Sequence, residues 1–232
     1  MSTGIIWHNF KQWVGPGLCA LLLGGCVSAT VDEMTYNEPV AGIGESSVVI
    51  LGRRHAPDYD TEFDFIQCIG DHIHSGDPSI DVIGEIAFIN EFYPWFEPRT
   101  APMQPETIDR LLKLPPVAER FAAMQLEYMI WIDGTTIGGY AGDLNKGGSM
   151  SCGIGPGMAG CFGFGTWGTE SEYEATIWDF TDKVEVGRVS AVASGQSYMP
   201  AIIVPIPIIA PVESTACDSL GDQLLEYLSK DF

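Results

Sequence analysis

The hydrophobic pattern changes period several times along this chain, and each change marks an element. Positions 47–52, Ser-Val-Val-Ile-Leu-Gly, form a short β-branched apolar run, which predicts a buried strand. The period then becomes helical. Phe63, Phe65, Ile66, Ile69 and Ile73 predict a helix over 61–74, with Thr61 and Asp64 spaced as a capping box. A second short strand is predicted at 80–84 and a helix over 86–96, ending in Phe92-Tyr93-Pro94-Trp95-Phe96. Pro105 suits a helix start, and 105–125 reads as two helical pieces broken at Pro115-Pro116. Residues 128–134, Tyr-Met-Ile-Trp-Ile-Asp-Gly, predict a third buried strand, and 137–161 a Gly-rich loop. Apolar and polar residues alternate over 171–180 and again over 185–194, across Thr181-Asp182-Lys183, which predicts an antiparallel hairpin. A closing helix over 213–229 carries Leu220, Leu224, Leu225 and Leu228 on one face. The order β-α-β-α-β-β-β-α predicts an α/β fold, a mixed β-sheet with packed helices.

The run 201–211, Ala-Ile-Ile-Val-Pro-Ile-Pro-Ile-Ile-Ala-Pro, fits none of these periods. It has no charge and no hydroxyl, and Pro205, Pro207 and Pro211 each lack a backbone donor, so an edge position is expected rather than a central strand. The expectation is burial of its isoleucines under the closing helix, since so many exposed ones favour aggregation. A docking segment is the alternative.

The first 25 residues read as an address. Residues 1–13 carry one Lys and no acid, and 14–25 are apolar but shorter than the roughly 20 residues that span a bilayer. The stretch ends Leu23-Gly24-Gly25-Cys26, which resembles the bacterial lipobox. That resemblance implies cleavage before Cys26 and a diacylglycerol on its thiol. Cys19 would leave with the signal. Val27 rather than Asp follows the Cys, which by similarity to enterobacterial sorting favours the outer membrane, on its periplasmic face or the cell surface. The expected organisation is a signal peptide at 1–25, a tether at 26–46 and one domain at 47–232.

Charge narrows the partners. The formal net charge is −20, and all 31 acidic residues lie after position 31. Such a surface repels phosphate backbones and anionic lipid, so no nucleic-acid partner is expected. Apolar residues make up 46% of the chain and charged ones 18%, which suits a packed core and disfavours disorder.

With Cys19 removed and Cys26 assigned to lipid, Cys68, Cys152, Cys161 and Cys217 remain. An even count in an oxidising compartment suggests disulfides, with three connectivities open. Cys152–Cys161 is preferred because the pair brackets a Gly-rich stretch, leaving Cys68 with Cys217. Zinc is the rival, disfavoured because no Cys-x-x-Cys spacing occurs.

Several constellations could carry chemistry. Gly155, Gly157 and Gly160 match the dinucleotide Gly spacing, but no strand leads into them and no helix follows, so a disulfide-closed turn is the better reading. Arg53, Arg54 and His55 follow the first strand, while Glu85 and Asp133 end two others. If these strands are parallel, all five converge at one edge, where open α/β sheets bind ligands. A self-paired surface cluster is the competing reading. His72 and His74, near Asp71 and Asp77, would share a metal only on an extended segment, because i and i+2 diverge on a helix. Ser197 lacks the spacing of a nucleophile elbow. No catalytic residue, cofactor or metal is therefore assigned.

The hairpin Ala-Thr-Ile-Trp-Asp-Phe, a turn, then Val-Gly-Arg-Val is similar to one found in three envelope families. These are the amino-terminal domain of the Tol-system propeller protein, the curli-secretion lipoprotein, and the lipoprotein activators of penicillin-binding proteins. The resemblance implies a non-catalytic role in binding or assembling envelope proteins, with the membrane reached through a lipid anchor. A periplasmic hydrolase or small-ligand binder using Arg53, Arg54, His55 and Asp133 is the alternative.

Overall fold

A computed structural model describes residues 28–36, 47–56, 59–97, 105–138, 147–156 and 158–229; the side chains of 55, 56, 59, 60, 105, 106 and 158 lie outside that description. The predicted signal peptide, Cys26 and the imidazole of His55 are among what lies outside. The strands are β1 (Ala29–Thr35), β2 (Ser47–Gly52), β3 (Arg54–Ala56), β4 (Tyr59–Asp60), β5 (Asp81–Ile83), β6 (Leu126–Gly138), β7 (Gly147–Gly155), β8 (Met158–Asp179) and β9 (Val184–Pro205). The helices are α1 (Phe63–Gly76), α2 (Glu85–Glu91), α3 (Pro105–Leu112), α4 (Pro115–Ala123) and α5 (Val212–Ser229).

Seven strands form one mixed sheet in the order β1-β9-β8-β6-β2-β5, with β7 also on β8. β2 runs parallel to β5 and β6, and every other pair is antiparallel. The α/β class and the mixed sheet follow the sequence expectation. Side chains alternate across the sheet, so the central strands β2, β6 and β8 feed two cores. Val48, Ile50, Ile130, Tyr173 and Ala191 face α1 and α5, and pack on Phe65, Ile69, Leu220 and Leu224. Val49, Leu51, Met129, Trp131 and Trp178 face the other way, onto Phe88 of α2, Phe92 just after it, and Val117 and Phe121 of α4.

Four expectations need correction. Ala29–Thr35 is not part of a tether. It is the outer strand of the main sheet, with Ala29 opposite Gly195, so the domain begins before residue 47. From Gly147 onward the Gly-rich stretch is not a loop, since β7 and the start of β8 pair from Gly147–Thr166 to Gly155–Met158; residues 139–146 of that expectation lie outside the described residues. Thr61 caps no helix. The helix starts after Glu62, without a side-chain cap, and the Thr61 hydroxyl instead lies 3.1–3.3 Å from the carbonyls of Arg53, Ile132 and Gly134. The run 201–211 is not buried: Ile202 is 75% exposed and Ile206 62%, and only Ala201 and Ala210 pack inside. The chain turns at Ile203 (φ 85°) and returns along β9, where Tyr198 and Ile208 exchange hydrogen bonds of 2.9 and 2.7 Å.

Both expected disulfides are present. Cys68 of α1 joins Cys217 of α5, and Cys152 of β7 joins Cys161 of β8 directly opposite it. Among the described residues no helix is long and apolar enough to cross a membrane.

Candidate functional site

The parallel strands β2, β5 and β6 bring Arg53, Arg54, Glu85 and Asp133 to one edge, as their positions after three strands predicted. There they pair with one another. Arg54 donates to Glu85 through two nitrogens, at 2.6 and 3.0 Å. Glu85 also accepts the Gly52 backbone N–H at 3.0 Å and is only 5% exposed. A bidentate guanidinium–carboxylate pair at this depth is short and directional, and it leaves the carboxylate little capacity for a ligand. Arg53 reaches Asp133 at 3.5 Å and lies over the Trp131 ring, 5.3 Å from its centroid. This second pair is looser. Among the described residues Arg53 Nε and Asp133 Oδ1 are buried without a hydrogen-bond partner.

Beside this edge a groove of about 420 Å³ runs between α1, β5 and the start of α2. Ile66, Gln67, Asp71, His74, Val82 and Glu85 line it. His74 therefore faces away from His72, whose Nε2 lies 2.8 Å from Asp222 and whose Nδ1 lies 3.7 Å from Asp218 on α5. The two histidines are not brought together. Among the described residues no three His, Cys, Asp or Glu side chains are grouped to hold a metal. Ser197 is buried and accepts the Ala210 backbone N–H at 2.9 Å, a structural role at the return of the chain.

A polar network that sequence reasoning missed lies behind Asp133. The Tyr173 hydroxyl donates to Glu62 at 2.7 Å, and Glu62 also accepts from the Thr135 hydroxyl (3.2 Å) and the Thr136 N–H (3.3 Å). Burial, with the adjacent Glu62 carboxylate, pushes the Tyr173 phenol well above its ordinary range. Burial also raises the Glu213 carboxyl, with the charges of Glu62 and Asp64 adding to it. Glu62 and Tyr173 are 111 residues apart, so no local signal could have linked them.

The described residues cover only half of the sheet face that carries α2 and α4. Beyond Trp131, β6 presents Asp133, Thr135 and Ile137, directly opposite Glu174, Glu172 and Glu170 of β8. These six side chains line an open hollow of about 310 Å³. Arg188 of β9 holds Glu174 at 3.2 Å, while Glu170 and Glu172 are exposed. No nucleophile and base are paired here; what the surface offers is a row of carboxylates on a rigid sheet.

No family model matches this chain, and no curated protein matches it. Solved structures similar in outline include two PelC dodecamers from Paraburkholderia phytofirmans. One, in space group P6, is 12% identical with a TM-score of 0.41, and covers 88% of this chain and 99% of its own. The other, the L103M form in space group C2, is 11% identical with a TM-score of 0.35 over the same shares. Neither carries the name of the envelope families that the hairpin resembles, and a likeness at that level carries no argument about function or assembly.

Proposed function

We propose that this chain is a bacterial envelope lipoprotein with a non-catalytic role in binding or assembling another envelope protein. The observation that carries the reading is the half of the sheet left open by the described residues, where Glu170, Glu172 and Glu174 stand in a row opposite Ile137, Thr135 and Asp133. A rigid acidic face suits a partner with a basic surface, because complementary charge speeds encounter and fixes register. The alternative, a hydrolase or small-ligand binder using Arg53, Arg54, His55 and Asp133, has less support because Arg54 is committed to Glu85. The Leu23-Gly24-Gly25-Cys26 motif supports anchoring by lipid on Cys26, and Val27 after it, by similarity to enterobacterial sorting, supports the outer membrane.

Two measurements test the reading. Mass spectrometry of the native protein should find a lipid-sized increment on Cys26; an unmodified chain beginning at Met1 removes the lipoprotein half. Affinity capture from solubilised envelopes should yield a partner that salt releases and that the triple variant E170Q/E172Q/E174Q, still folded, fails to retain. Equal capture by that variant overturns the assignment of the acidic face.

A further inference from the structure

Beyond the amino-terminal region, two long stretches of this chain contain no Asp, Glu, Lys, Arg or His: residues 147–169 and 189–212. In a chain of net charge −20 such stretches are conspicuous, and the fold puts them side by side. β7, the first half of β8 and the last half of β9 form an arm that continues the sheet past the end of β6. Cys161 pairs with Ile203, Phe162 with Ile202, and Cys152 with Cys161. The returning segment closes the far side of β9.

Among the described residues the end of this arm is apolar and nothing packs over it. Ile154 is 93% exposed, and Phe162 and Ile202 are each 75% exposed. Val204, Ile206 and Ile209 are also exposed. These side chains do not share one face. Phe162 and Ile202 stand opposite each other on one side of the sheet, while the alternation of β7 and β9 puts Ile154 and Ile203 on the other. A partner protein that packs on a sheet covers one face. A tip that is apolar all round matches a medium that surrounds it.

The route of the chain supplies the second argument. β1 runs antiparallel to β9, so tracing back from Thr35 to Ala29 leads from Val189 to Gly195, toward the arm. The carbonyl of Ser28 lies against Gly195 at the arm's base. Cys26 is two residues earlier in sequence, so chain length alone keeps its Cα within roughly 7 Å of that of Ser28. We infer that the uncharged end of the β7–β8–β9 arm is immersed in the lipid surface to which Cys26 is fastened, so that anchor and arm together set the domain's orientation on the membrane. The inference rests on the reading that Cys26 carries lipid.

Immersion would be interfacial. The outer edge of β7 pairs with no strand among the described residues, and an open sheet edge cannot lie in the hydrocarbon interior. The side chains at the tip would enter the boundary between headgroups and acyl chains, to roughly 5–10 Å. The absence of charge on the arm removes any dependence on anionic lipid. The acidic remainder of the domain would be repelled from such lipid, which keeps the tip as the point of contact.

The test uses the native lipoprotein in phosphatidylcholine vesicles, with and without bromine on the acyl chains. Phe162→Trp and, separately, Ile202→Trp report from the tip. Val184→Trp, 48% exposed at the opposite end of β9, is the control, up to roughly 60 Å away along the strand. The fluorescence added by Trp at 162 or 202 should be lost to bromine while that at 184 persists. Lipidated protein with no quenching at either tip position overturns the inference, whether a second copy or another protein covers the tip. Quenching at 184 as well overturns it too, since the orientation would be lost. If mass spectrometry of the same sample shows no lipid on Cys26, the lipoprotein reading fails separately. Quenching at 162 in that sample would still support immersion, and its absence would end it.

Discussion

Glu85 holds Arg54 by two hydrogen bonds while also accepting the Gly52 backbone N–H, so one buried carboxylate ties β2, the start of β3 and the start of α2 together. Glu85→Ala would leave the Arg54 guanidinium half-buried without this partner and the Gly52 N–H without an acceptor. The expected cost is about 3 kcal/mol. Urea unfolding of the variant checks it; a loss within the scatter of ordinary surface substitutions would mean that the edge is not structural.

The two disulfides should differ in what they stabilise. Cys68–Cys217 closes a sequence separation of 149 residues and joins the two helices of one core. Replacing both by Ser should cost about 4 to 5 kcal/mol of global stability on chain-entropy grounds. Cys152–Cys161 spans only 9 residues within strands already paired. Its loss should cost about 2 kcal/mol or less and fall on the arm. Hydrogen exchange by mass spectrometry separates the two. Faster exchange confined to 147–166 is expected for C152S/C161S, and faster exchange throughout for C68S/C217S.

Ile206→Asp should leave the domain folded. The side chain is 62% exposed, so the new carboxylate keeps its water and no burial penalty arises. Leu224→Asp, at a position with no exposure, should unfold the protein or come close to it. Circular dichroism melts of the pair decide the matter. An unfolded Ile206→Asp would place the isoleucine run back in the core.

Asp109 on α3 lies between Lys113 (2.6 Å) and Lys183 (2.7 Å), the latter in the β8–β9 turn. Their hydrogen bonds, that of Lys113 first, hold its carboxyl down at about 2. An unfolded Asp titrates near 4, so the folded state binds the proton less readily. The stability this contributes is present above pH ~4 and is lost as pH falls from there toward 2. Asp109→Asn should therefore show a smaller drop in urea midpoint between pH 5 and pH 2 than the parent protein. Equal drops would mean that the two lysines do not hold Asp109 in solution.

The sequence by itself determined the elements whose periodicity is intrinsic. The run at 47–52, the helical spacing from Phe65 to Ile73 and the alternation on either side of Thr181-Asp182-Lys183 all specify local structure, because one buried face is enough to set a period. The cysteine pairing was also legible, by elimination. Convergence of Arg53, Arg54, Glu85 and Asp133 could be foreseen only on condition that three strands run parallel, and their pairing with each other needed the tertiary structure. Where local signals are weak, tertiary pairing decided. Ala29–Thr35 is exposed along most of its length and becomes a strand because β9 offers it an edge. The Gly-rich stretch becomes β7 and β8 because Gly148 (φ 98°) and Gly163 (φ 148°) allow approaches that a side chain would block: a Cβ on Gly163 would lie 2.2 Å from the Ser149 carbonyl oxygen. The isoleucines at 202–209 gave no sign of which side they face, since an apolar run reads alike in a core and on a surface. Their exposure follows from the turn at Ile203, which carries the chain back along the outer edge of β9, with α1 and α5 packed elsewhere on the sheet.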